Sequence, residues 1–123
     1  MALVIREEQK AALEEAQRRL YEEKLAAHLR RFFPAECARL GDAGLREAIR
    51  RGVRRASRHG IVSERDVCKF VSLTLFFGRD FDADPRLPWA AAILGAGIGP
   101  TLRVNRLYRE ALERRAEARG YDG

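Results

Sequence analysis

The sequence predicts an all-α fold, a compact bundle of five to six helices led by a long N-terminal helix. Three observations predict it. Apolar residues recur every three or four positions through residues 6–33, 43–59 and 101–119, which is helical periodicity. Proline and glycine fall between these segments, at Pro34, Gly41, Gly60, Gly78 and across 95–100, where helices start and stop. The one β-prone run, FVSLTLFF at 70–77, has no second strand to pair with, and an unpaired strand leaves its backbone polar groups unmet.

The first helix is expected over 6–33. Leu13, Ala16, Leu20 and Ala27, with Tyr21, Leu25, Leu29 and Phe32, form one broad apolar stripe. Glu7 and Glu8 suit the positive end of the helix dipole, and Pro34 stops the helix. At ~1.5 Å per residue it is about 40 Å long. Its N-terminal half is expected to project or to pack on another copy. Residues 34–40 make one or two turns closed by Gly41. Asp42 then caps a helix over 43–59, with Gly60 as its left-handed stop. Its inner face, Leu45, Ala48, Ile49, Gly52, Val53 and Ala56, is small enough for a close neighbour. Its outer face carries Arg46, Arg50, Arg51, Arg54, Arg55 and Arg58.

Ser63 is expected to cap a central buried helix over 64–77, with Asp66 in the position of a capping-box acid. Gly78 ends it. Residues 80–87 are expected as a loop, with Pro88 opening a short helix to Leu94. The Gly-rich stretch 95–100 reads as a connector. The last helix runs to about Arg119, with Val104, Leu107, Tyr108, Ala111, Leu112 and Arg115 on one face. Gly120 ends it, and the tail is frayed.

The composition is that of a soluble globular protein, 46% hydrophobic and 34% charged, and 123 residues fit one domain. Residues 1–5 then form an N-terminal arm and 120–123 a frayed C-terminus. Cys37 and Cys68 are expected as buried free thiols in a reducing cytosol, with a disulfide between them as the alternative. MALVI is too short for a signal-peptide core, and no window reaches the ~20 apolar residues of a membrane span. The expected location is cytoplasmic, with no membrane contact.

Net charge is +6, and it is concentrated. Residues 31–60 hold eight basic and three acidic side chains, whereas 61–90 hold four and five. The arginine face of 46–58 matches what a phosphate backbone requires, but no aromatic residue is interleaved for base stacking. Asp80, Asp82 and Asp84 fail the calcium-loop template, because Pro85 and Ala91 stand where glycine and glutamate are needed; they read either as a charged recognition loop or as residues that cap helices and pair internally with arginines, including Arg79 and Arg86. Gly95, Gly97 and Gly99 lack the spacing and preceding strand of a dinucleotide fingerprint. His28, His59, Cys37 and Cys68 fit no zinc spacing. His28 is expected to pack on the apolar side of its helix, and His59 to sit at a helix C-terminus. No serine lies in a nucleophile motif. No catalytic residue, cofactor or metal is therefore expected.

Two stretches, ERDVCKF and FGRDFDADPRLPWA, together with the opening 5–52, resemble a group of small helical proteins of Gram-negative bacteria. Their genes lie beside effectors of contact-dependent secretion systems, type VI above all. The resemblance covers most of the chain and carries no catalytic residues. It implies an accessory role: an adaptor or chaperone for a secreted effector or spike protein, or an immunity protein. The expected function is therefore protein binding. The proposed surface is the acidic loop with Trp89 (Asp80, Asp82, Asp84, Trp89) and the adjoining basic helix (Arg50, Arg54, Arg58). Homo-oligomerisation is compatible with the long first helix. Nucleic-acid binding by the arginine face is the competing class.

Overall fold

The computed structural model describes residues 6–121, with side chains as far as Arg115. The expected N-terminal arm and the last two residues of the tail lie outside the described residues. Among the described residues there are five α-helices and no strand. These are α1 (Glu7–Phe32), α2 (Pro34–Arg58), α3 (Glu64–Phe77), α4 (Pro88–Leu94) and α5 (Pro100–Tyr121), with a 3-10 turn at Phe81–Ala83 between α3 and α4. The expected all-α class and long first helix are both present. α5 continues through Gly120, where the sequence predicted a stop. Inside a helix glycine costs only about 1 kcal/mol relative to alanine, so by itself it does not force an end. The chain divides into two compact units, one ending at Arg46 and the other beginning at Glu47.

In the first unit, α1 opens with Gln9 accepting the Arg6 backbone N–H at 3.2 Å. It closes where Phe33 leaves helical geometry and Pro34 starts α2. Its buried residues are Glu22, Leu25, Ala26 and Leu29, a stripe at i, i+3, i+4 and i+7. This is narrower than the predicted stripe. Leu13 and Leu20 are exposed, as are Ala27 and Phe32. At 100° per residue, Leu13, Leu20 and Ala27 lie on the far side of α1 from Leu25 and Leu29. His28, expected to be packed, is exposed and leans its ring on Phe32 at 4.7 Å. By helical spacing it lies at the flank of the stripe, next to Leu25 but about 100° from Leu29, and this edge of α1 is open. In α2 the helix breaks at Gly41, whose φ of 71° and ψ of 172° are non-helical. Arg30 reaches across to Asp42 at 3.0 Å.

The second unit holds a larger core. α2 ends in a Schellman motif: Gly60, at φ 75°, and Ile61 return hydrogen bonds to Ser57 and Ala56. Ile61 is itself buried. Ser63 then caps α3 by accepting the Asp66 N–H at 3.3 Å. The Asp66 side chain is not spent on the local box. It is buried and accepts a 2.7 Å bond from the Thr101 hydroxyl at the start of α5. Lys69 donates to Asn105 one turn further along. Both partners advance together, so α3 and α5 run parallel. α4 runs against α5, with Leu94 beside Arg103 and Trp89 beside Arg114. Arg103 donates to the carbonyls of Leu94 and His59, at 2.9 and 2.8 Å. One guanidinium thus closes the C-terminal ends of α4 and α2, where a cation is favourable.

Gly52 sets the approach of α2 to α3. A Cβ there would stand 2.8 Å from Val71 Cγ2, and Val71 is fully buried. Overpacking of this kind costs about 1–3 kcal/mol, against about 1 kcal/mol gained in helix propensity. Gly52→Ala is therefore expected to lower the urea midpoint. In a Val71→Ala background, where the methyl has room, the same change should become neutral or stabilising. Equal effects in both backgrounds would exclude the contact.

Candidate functional site

The site grows from one stripe of α2. Arg51, Arg55 and His59 are spaced i, i+4 and i+8, so they point the same way. Opposite them lies the segment leaving α3. Gly78, at φ 114°, turns the chain out of the helix. Phe81 then goes back into the core, 1% exposed, with its ring 5.2 Å from Phe70. His59 also meets the Phe70 ring, at 5.9 Å. A buried aromatic anchor therefore holds Asp80 and Asp82 against the arginine stripe.

The contacts are close and charge-assisted. Arg51 Nη2 donates to Asp80 Oδ1. Arg55 donates to Asp80 through Nη1 at 3.2 Å and to Asp82 through Nη2 at 2.7 Å and Nε at 2.9 Å. His59 Nε2 completes the set, 2.9 Å from Asp82 Oδ2. The Asp82 side chain is only 5% exposed and Arg55 19%. Burial pushes the Asp82 carboxyl up, but the hydrogen bonds from Arg55 and His59 outweigh it and hold the group below the usual carboxylate range. Asp84 belongs to a separate local ring. It accepts the Arg86 backbone N–H at 2.9 Å and a fork from the Arg86 guanidinium, which also lowers its pKa.

The predicted site residues are thus divided. Asp80 and Asp82 face the protein's own α2, and Asp82 is covered. Arg50, Arg54 and Arg58 stay on the solvent side, with Arg54 3.7 Å from Glu47. Arg51 and Arg55 were read with them as outward. They lie about 100° further round the helix, which turns them onto the loop. Trp89 is half-buried: its ring meets Phe77 edge to face at 5.4 Å, and Arg114 lies over it at 4.9 Å. Sequence reasoning missed Phe81 as the anchor and His59 as a carboxylate partner. The i, i+4, i+8 spacing of Arg51, Arg55 and His59 was the available signal.

Cys37 and Cys68 are free thiols, and burial raises the pKa of each, so neither is held as a reactive thiolate. Among the described residues no group of three or more His, Cys, Asp or Glu is placed to hold a metal. No described helix is long and apolar enough to cross a membrane. Comparison with family models, curated proteins and solved structures finds no match for this chain.

The Asp82 cluster has a definite pH signature. Its folded pKa lies below the unfolded value, so its stabilisation is complete above about pH 4 and is lost as pH falls through the folded value. Asp82→Asn leaves Arg55 partly uncompensated and is expected to cost about 3 kcal/mol at pH 7, near the low end for a buried pair. The variant should also lose less stability than the wild type between about pH 5 and pH 2. Urea unfolding across that range measures both effects, and parallel curves would exclude the assignment.

Proposed function

We propose that this chain is an accessory protein-binding module, an adaptor or chaperone for another protein, with no reaction of its own. The observation that carries the reading is the internal use of the acidic loop. Residues 47–115 hold fourteen basic and eight acidic side chains. Asp80, Asp82 and Asp84 are already engaged by Arg51, Arg55 and Arg86. What α2 turns to water beside the loop is therefore cationic: Arg50, Arg54 and Arg58. A row of arginines on a rigid helix, braced from behind by a buried ion-pair cluster, suits an acidic protein partner. Trp89, at the exit of the loop, adds an aromatic anchor of the type that dominates interfaces. The resemblance of ERDVCKF and FGRDFDADPRLPWA names the first partners to test, secreted effectors and spike proteins.

Nucleic-acid binding is the second reading, favoured by the same row of cations. Against it, the row carries no aromatic side chain on which bases could stack.

One experiment separates the two. The wild type and an Arg54→Glu/Arg58→Glu variant are compared for capture of proteins from the native source and for binding to a DNA duplex at several salt concentrations. The protein reading predicts recovery of a specific acidic partner, reduced about tenfold or more in the variant. If instead the duplex binds with a log–log salt slope of about −3, and the slope collapses in the variant, the nucleic-acid reading prevails.

A further inference from the structure

A second surface of the same unit is not explained by the core or by the ion-pair cluster. At the C-terminal end of α3, the rings of Phe76, Phe77 and Trp89 follow one another edge to face, with centroids 4.8 and 5.4 Å apart. α5 lays two guanidinium groups on this ladder. Arg115 covers Phe76 at 5.3 Å and Arg114 covers Trp89 at 4.9 Å. The ladder is not sealed: Phe76 is 39% exposed, and Leu112, one turn before Arg115 on the same side of α5, is 52% exposed. Aromatic rings and arginines with an adjoining aliphatic group are the composition of an interface hot spot.

Charge selects the occupant. A guanidinium over a ring can still donate N–H bonds to carboxylates. Arg114 already meets Glu110 at 3.0 Å, whereas Arg115 has no carboxylate partner among the described residues. The surrounding unit is strongly basic, and its loop carboxylates are engaged by its own Arg51, Arg55 and Arg86. A second copy of this chain would set like charges against each other, which is costly at an interface.

We propose that Phe76, Leu112 and Arg115, with the exposed edge of Trp89, dock an acidic segment of a protein partner. That segment places an apolar side chain between Phe76 and Leu112 and a carboxylate on Arg115. The proposal rests on the protein-binding reading and gives it a surface and a partner chemistry. It uses α3, α4 and α5 and shares only Trp89 with the surface of the arginine row, so changes at Leu112 and Arg115 separate it from changes at Arg54 and Arg58.

Trp89 is the sole tryptophan, so its fluorescence reports on this patch directly. The full chain is titrated with peptides of about sixteen residues, long enough for four helical turns. One is an amphipathic Glu/Leu peptide and the other is polyglutamate; an oligo-dT strand serves as the third probe. The Glu/Leu peptide is expected to give a saturable shift in Trp89 emission and to bind about tenfold tighter than polyglutamate. Leu112→Glu and Arg115→Glu should each weaken it by about tenfold or more. Both side chains are exposed, and an unchanged circular dichroism spectrum verifies the fold. No saturable shift, equal binding by polyglutamate, or equal binding by the two variants overturns the patch, while capture through Arg54 and Arg58 still decides the broader reading. Tighter binding of oligo-dT than of either peptide overturns both.

Discussion

Asp82 is where charge and packing in the second unit meet. Its carboxylate is almost completely covered, and it lies between Arg55 on one side and His59 on the other. A buried charge without partners would cost several kcal/mol. The carboxylate therefore requires that α2 present its arginine stripe at this height and no other. Phe81, the preceding residue, is locked under Phe70, so the position of Asp82 is set by the hydrophobic core and not by the loop's own preferences. The ion pairs and the aromatic anchor specify the same register, and that agreement makes the connection between α3 and α4 rigid.

The rest of the unit follows from that brace. Gly52 lets α2 come close enough to α3 for Arg55 to reach the loop. The rigid exit from α3 then delivers Pro88 and Trp89, so that α4 lies back along α5. Arg103 ties the far ends together by donating to carbonyls at the ends of α2 and α4. Asp66 and Thr101 do the same between α3 and α5. Apart from Lys69 and Asn105, one turn further in, these polar contacts sit at helix ends and turns, where backbone or side-chain groups would otherwise go unsatisfied. The middle of each contact is left to apolar residues such as Val71, Val104 and Leu107.

This arrangement has a functional consequence. Asp80 and Asp82, the most conspicuous acidic residues of the sequence, act as a scaffold for α2. The groups that remain on the surface are cationic and aromatic: the outward row of α2, and the ladder of Phe76, Phe77 and Trp89 beneath Arg114 and Arg115. Both surfaces suit acidic partners. They stand on different helices and recruit different physics, with long-range charge on α2 and rings of α3 and α4 under arginines of α5.

The helices themselves were legible in the sequence, because their causes are local. Periodicity, Pro34, Gly41, Gly60, Gly78 and Pro88 act on the chain within one or two turns, and the structure places breaks or starts at each of them. The site was only half legible. Pairing of the aspartates at 80–84 with arginines was one reading of the sequence, and Asp84 does meet Arg86, but Arg51 and Arg55 could not be singled out as the partners of Asp80 and Asp82. Whether two charged segments meet depends on how α2 crosses α3, and Gly52 against Val71 decides that crossing through a contact nineteen residues apart. The same holds for Phe81, which reads as a loop residue until Phe70 is placed over it, and for Arg115, whose stripe position looks like core until Phe76 lies beneath it. Sequence alone determined which segments are helical and, except at Gly120, where they stop. Tertiary structure alone decided which charges of α2 pair with the loop, because that pairing is a property of distance between segments and not of either one of them.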